Sequence, residues 1–123
     1  LYSSAASDVY KRQEQYTLEF ANRDTWNTGL DDDARKGFQV LKLFKEHGFE
    51  GEIGIGVSDV HVNEIESPEL IRDRILYSAK ALGDPTKVYV NPDCGLRTRT
   101  REVSFDKIRT MVKGAELARE ETK

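Results

Sequence analysis

The chain has 123 residues, room for one small domain, and 37% hydrophobic with 33% charged residues describe a soluble globular segment on the polar side. A net charge of -3 gives no electrostatic footprint for nucleic acid and no basic stripe for an acidic membrane surface, and no protein partner is expected. Apolar runs are only a few residues long, too short to span a bilayer, and the single cysteine, Cys94, which cannot close an internal disulfide, suits a reducing, cytoplasmic compartment.

Residues 1–13 read LYSSAASDVYKRQ, without periodicity or a signal-peptide pattern. The stretch DVYKRQ resembles the in-frame translation of a transposon end used in sequencing libraries. Residues 1–13 are therefore expected to be non-native and dispensable, with native sequence over 14–123; the other reading is an ordinary disordered terminus.

From Glu14 onward one unit repeats: a short β-rich run, a polar loop, then an amphipathic helix. The first run is Tyr16 to Ala21 (YTLEFA). Asp31 to Asp33 offer a helix N-terminus, since acidic side chains favour that end of the dipole. Phe38, Leu41 and Phe44 follow at helical spacing, and Gly48 is a natural stop. The second run is Ile53 to Val57 (IGIGV). After it, Ser67 can cap and Pro68 fits the first helical position, with Ile71, Ile75, Ala79 and Leu82 as the apolar stripe. Gly83 and Pro85 end that helix. The third run is Val88 to Val90 (VYV). Ser104 can cap a last helix, in which Phe105, Ile108, Val112 and Ala115 are expected to face inward with Met111 beside them.

Strands spaced by about 35 residues and alternating with helices predict an α/β fold with a parallel sheet and flanking helices. Three such units leave two unpaired edges, so the sheet reads as part of a larger one. The expected architecture is three βα units of a TIM (β/α)8 barrel; a doubly wound sheet is the competitor.

In either architecture chemistry gathers at the C-terminal ends of the strands. Glu19 lies at the end of the first. Ser58, Asp59 and His61 follow the second, and Asn91, Pro92, Asp93, Cys94 and Gly95 follow the third. A carboxylate, an imidazole and a thiol on one rim suit a zinc site. Each residue also has a plain structural reading. Cys94 could be a small buried hydrophobe, Glu19 could face water or pair with an arginine, and His61 could be structural. His47, just before Gly48, reads as a helix C-terminal residue favoured by the dipole. IGIGVSD contains GxG but lacks the third glycine of a dinucleotide loop, and no helix opens directly after it.

Three segments resemble the C-terminal catalytic domain of the cobalamin-independent methionine synthase family: TLEF around Glu19, IGIGVSDVH ending at His61, and VNPDCGLRTR from Val90 to Arg99. The last is the most specific. The order and spacing of the three agree as well, and the similarity runs from about Glu14 to the end. The resemblance implies that Glu19 and Cys94 are zinc ligands and that His61 is the proton donor. The family's other two ligands, and its homocysteine and most folate contacts, would lie upstream of Glu14. The chain departs from the familiar bacterial pattern in a longer loop over 22–36. It also has VNEIESPE after His61, where a shorter proline-rich loop is common.

The implied reaction is transfer of a methyl group from 5-methyltetrahydrofolate, as its polyglutamate, to homocysteine, giving methionine. A thiol is a weak nucleophile at neutral pH, and zinc coordination would favour its thiolate. The folate amine leaves poorly unless it is protonated, and an imidazole suits that task. The competing readings are a related zinc methyltransferase with another thiol acceptor such as coenzyme M or a corrinoid methyl donor, and an inactive βα fragment.

Overall fold

The computed structural model describes residues 15–122. Residues 1–13, expected to be non-native, lie outside the described residues. Three strands form a parallel sheet in the order β1-β2-β3: β1 Gln15–Glu19, β2 Glu52–Ser58 and β3 Val88–Pro92. Three α-helices accompany them: α1 Leu41–Glu46, α2 Pro68–Leu82 and α3 Arg101–Glu121. The α/β alternation and parallel sheet are as expected.

Pairing is in step across the sheet. Leu18 lies opposite Ile55, which lies opposite Val90; Glu19 lies opposite Gly56, which lies opposite Asn91. Because side chains alternate between faces, these rows belong to opposite sides. The Leu18–Ile55–Val90 side packs into the core with Ile53 and Val57, and all three β-branched residues of β2 are fully buried. Helix α2 lies against α3 and α1 beneath this layer. The other face carries Thr17, Glu19, Gly54 and Gly56. A bulge between Gly56 and Ser58 marks the end of regular pairing with β3.

Helix α2 starts and stops where its sequence dictates. Ser67 Oγ accepts from the Leu70 amide at 3.1 Å, Pro68 occupies the first turn, and Gly83 closes the helix at φ 84°. The other two helices differ from expectation. After β1 the chain turns through Asp31–Phe38 without forming an α-helix: the Arg35 amide donates to the Asp31 carbonyl, a 3-10 turn covers Lys36–Phe38, and α1 begins only at Leu41. Buried Arg35 bonds locally to the Ala34, Thr25 and Asn27 carbonyls, and those contacts hold this stretch as a loop.

Helix α3 begins at Arg101 and is capped by Thr100, whose Oγ1 accepts from the Val103 amide; Ser104 lies inside the first turn and its hydroxyl donates to the Leu96 carbonyl. Its buried residues are Lys107, Gly114 and Ala118. Met111 and Ala115 pack on the core as expected, whereas Phe105 (57% exposed), Ile108 (41%) and Val112 (50%) face outward. The apolar stripe exists, but among the described residues nothing covers its outer part.

Gly114 is where α3 crosses α2. A Cβ there would stand 2.4 Å from Ile71 Cγ2, 2.5 Å from Ile71 Cβ and 2.9 Å from the Pro68 carbonyl. Alanine would gain about 1 kcal/mol of helix propensity, but overpacking a fixed contact costs about 1–3 kcal/mol. Gly114→Ala should therefore lower stability, by up to about 2 kcal/mol on these terms, read as an earlier urea midpoint. A stabilised variant would show that the α2–α3 crossing has slack.

Candidate functional site

Parallel strands in step bring their C-terminal ends to one edge. Glu19 is the last residue of β1, His61 lies three residues past β2, and Cys94 lies two residues past β3. Glu19 and His61 are in contact, with His61 Nε2 3.3 Å from Glu19 Oε1, and both side chains are about half exposed at 46% and 58%. The loop holding His61 is bent by Asp59, whose Oδ1 accepts the His61 amide at 2.9 Å. Cys94 is exposed and stands beyond β3, one strand removed from Glu19. His47 ends α1, its amide donating to the Leu43 carbonyl, and takes no part in this edge.

The residue beside the cysteine has the most connected carboxylate of the edge. Asp93 is buried. Its Oδ1 accepts from the Phe20 amide at 3.1 Å and the Ala21 amide at 3.0 Å, and its Oδ2 from the Asn22 amide at 2.8 Å. Its own amide donates to the Ser58 carbonyl at 2.9 Å. One aspartate thus ties the end of β3 to the ends of both other strands. Burial pushes its carboxyl up to about 6, with the nearby Asp59 charge acting in the same direction and the three amides opposing it.

Gly54 and Gly56 make room for this crossing. A Cβ on Gly56 would stand 2.1 Å from Asp93 Oδ1, and one on Gly54 would stand 2.2 Å from Asn91 Nδ2. The GxG of β2 is therefore a packing requirement of the sheet's polar face.

Beneath the edge lies a network of fully buried charges. Arg74 donates from Nε to Asp24 Oδ2 at 2.8 Å, from Nη1 to Glu66 Oε2 at 3.2 Å and the Val57 carbonyl at 2.7 Å, and from Nη2 to the Thr25 carbonyl at 3.1 Å. Lys107 reaches Glu66 Oε1 at 3.3 Å and the Glu64 carbonyl at 2.7 Å. Glu66 also accepts the Asp59 amide at 2.7 Å. The loop carrying His61 is thereby fastened to α2 and α3, and the loop after Glu19 to α2. Sequence reading passed over Asp24, Glu66, Arg74 and Lys107. Their types alone suggest surface, and only a charged residue interrupting a helix's apolar face, as Arg74 does between Ile71 and Ile75, hints otherwise.

The exposed carboxylate of Glu19 and thiol of Cys94 are oxygen and sulfur donors of the kind zinc takes. Among the described residues, no three His, Cys, Asp or Glu side chains come together closely enough to hold a metal ion. The donor chemistry fits zinc, and the described residues carry at most part of a tetrahedral set. No described helix is long and apolar enough to cross a membrane.

Comparison with known proteins agrees with this architecture. The family model for the cobalamin-independent synthase catalytic domain matches residues 30–117. The chain is similar to a methionine synthase of Thermoplasma acidophilum, 54% identical over 101 residues that cover 79% of this chain and 29% of that protein. A methionine synthase of Thermoplasma volcanium is 48% identical over the same shares, and one of Saccharolobus solfataricus is 38% identical over 70% of this chain and 26% of that protein. The chain thus spans less than a third of the length of the curated relatives it matches. Among solved structures, a B12-independent methionine synthase from Shewanella sp. W3-18-1 in complex with selenomethionine superposes with a TM-score of 0.69 at 23% identity, over 89% of this chain and 27% of that one. The shared fold identifies the sheet as three βα units of a TIM barrel.

Two outcomes test this scaffold. Arg74→Met would strip Asp24 and Glu66 of their shared cation inside the protein; breaking such a buried network costs about 3–5 kcal/mol, read from the urea midpoint, and a loss below about 1 kcal/mol would mean that water reaches it. Asp93→Ala should selectively speed hydrogen exchange at the Phe20, Ala21 and Asn22 amides. Unchanged protection there would mean that these amides have other acceptors.

Proposed function

Because the chain belongs to the cobalamin-independent synthase catalytic-domain family, we propose that the protein carrying it is a zinc-dependent methyltransferase, moving a methyl group from 5-methyltetrahydrofolate polyglutamate to homocysteine to make methionine. The observation that carries the reading is 54% identity to a methionine synthase over 79% of this chain, together with the family match over residues 30–117, which holds His61 and Cys94. A reduced thiol at Cys94 suits a cytoplasmic enzyme.

In this reading Glu19 supplies an oxygen ligand and Cys94 a sulfur ligand, and the remaining ligands and the substrate contacts come from the rest of the barrel. Bound zinc would supply activation of the homocysteine thiol as its thiolate. His61, half exposed on a loop held by Asp59 and Glu66, donates a proton to the folate nitrogen as the methyl group leaves. The nitrogen then departs as a neutral amine, and a neutral leaving group lowers the barrier to transfer. The contact between His61 Nε2 and Glu19 Oε1 supports this reading, since a proton donor and a carboxylate ligand would need to share one rim.

The test separates ligands from proton donor in one set of preparations of the full-length protein. Cys94→Ser or Glu19→Gln should lower zinc stoichiometry and turnover together, since each weakens one of four ligands. His61→Asn should keep its zinc and lose about 10²–10⁴-fold in turnover, the usual share of general acid catalysis. Loss of zinc in His61→Asn would make His61 a ligand; parental turnover would make it structural. The chain by itself, with two of the four ligands, should show no methionine synthase activity.

A further inference from the structure

Glu19 and Cys94 sit on strands that do not touch one another, because β2 lies between them. A pair of ligands so placed needs something to fix their separation, since a metal site tolerates little error in ligand position. Strand pairing does not supply it: regular β2–β3 pairing breaks at the bulge between Gly56 and Ser58, and Cys94 lies beyond β3. The described contacts that bridge the two ligand segments directly come from the Asp93 carboxylate. It is one residue before Cys94, and its three acceptor bonds go to the first three amides after Glu19. Gly56 lets it pass over β2, because any side chain there would collide with Asp93 Oδ1 at 2.1 Å.

We propose that Asp93 is a positioning residue for the metal site, a carboxylate clamp that sets the separation of Glu19 and Cys94 by holding the amides of Phe20, Ala21 and Asn22. The inference rests on the proposed zinc role of those two residues. Asp93 itself is not a ligand. Both its oxygens are engaged by backbone, and it is buried while Glu19 and Cys94 are exposed. Its bonds lie just past β1 and just past β3, on the residues that directly follow Glu19 and precede Cys94, so they act on the two ligand segments as well as on the fold.

The measurement is made on the full-length protein, freed of metal and titrated with zinc against a competing chelator. Asp93→Asn keeps the size of the side chain but replaces one acceptor oxygen by an NH₂ group, which cannot accept from an amide. It should bind zinc about 10–100-fold more weakly than the unaltered protein, the range seen when a partner that orients ligands is lost. Gly56→Ala, which leaves Asp93, Glu19 and Cys94 in place but pushes on the clamp from below, should weaken zinc in the same way. Loading with cobalt(II) in place of zinc gives a visible spectrum that reports coordination geometry, and it should change in both variants. Gly114→Ala is the control: it loosens the α2–α3 contact and should leave affinity and spectrum unchanged. Zinc affinity within twofold of the unaltered protein in Asp93→Asn, or an equal fall in the control, overturns the clamp. Failure of the unaltered full-length protein to take up zinc is a different result, which overturns the functional reading and the clamp with it. Should Asp93→Asn not fold, Gly56→Ala decides between the same outcomes.

Discussion

The geometry of the sheet's C-terminal edge depends on Arg74, a fully buried guanidinium that reaches both loops leading away from β1 and β2. Loops over the end of a parallel sheet have backbone carbonyls with no strand or helix partner, and burying them unpaired is costly. Arg74 answers one of them, Thr25, together with the Val57 carbonyl at the bulged end of β2 and two carboxylates, Asp24 and Glu66, with one planar fork. Lysine could not make that set of contacts, having a single ammonium point. The buried cations Arg35, Arg74 and Lys107 face the two carboxylates of Asp24 and Glu66 in their ion pairs, and carbonyls of Thr25, Ala34, Asn27 and Glu64 accept from further N–H groups of these cations. Such a network gives little net stability over an apolar core. What it gives is two long loops with one conformation each, which a hydrophobic cluster of the same volume could not orient.

That division explains which parts of the fold were legible from sequence. The three strands and α2 were, because local signals suffice: β-branched runs, a Ser-Pro start, a glycine at positive φ. The helix expected near Asp31 failed because three acidic residues at a helix N-terminus look the same whether they cap or begin a loop. Arg35, which decides between the two, acts through contacts with residues 25 and 27 that no helical periodicity records. Ser104 and Thr100 are equivalent caps by type; the Leu96 carbonyl, three dimensions away from any pattern, takes the Ser104 hydroxyl and leaves the cap to Thr100. Phe105, Ile108 and Val112 do share a face, as their spacing says. Spacing cannot say whether the covering surface lies within the same stretch of chain.

The candidate residues at the strand ends could be named from the sequence, and the groups that hold their backbones could not. Glu19, His61 and Cys94 stand out because a carboxylate, an imidazole and a thiol follow β-rich runs. Asp93 stood in the same stretch and read only as part of a motif. Its role follows from Gly56 on the neighbouring strand, since a glycine in the middle of a buried strand signals close approach by something else. Read as a phosphate loop, the two glycines of IGIG make no sense on a strand that no helix follows directly. Read as the space under Asn91 and Asp93, they become part of the site.

The contrast in exposure between these two groups has a physical reason. Glu19 and His61 are half exposed and Cys94 is exposed, as side chains that were to meet a substrate or a metal would need to be. Open side chains are mobile unless their backbones are fixed, and fixing a loop backbone requires acceptors for amides that no ladder satisfies. Buried carboxylates are strong acceptors for this purpose, since a charge-assisted bond to an amide is roughly twice as strong as a neutral one. Asp93 serves the segment after Glu19 in this way, and Glu66 and Asp59 serve the segment around His61. Glu19, His61 and Cys94 thus each have a buried acid close by in the chain or in space, its oxygens engaged by backbone amides. The arrangement separates two demands that one carboxylate cannot meet together: to be available to an incoming ligand, and to be saturated by the backbone that holds the site in shape.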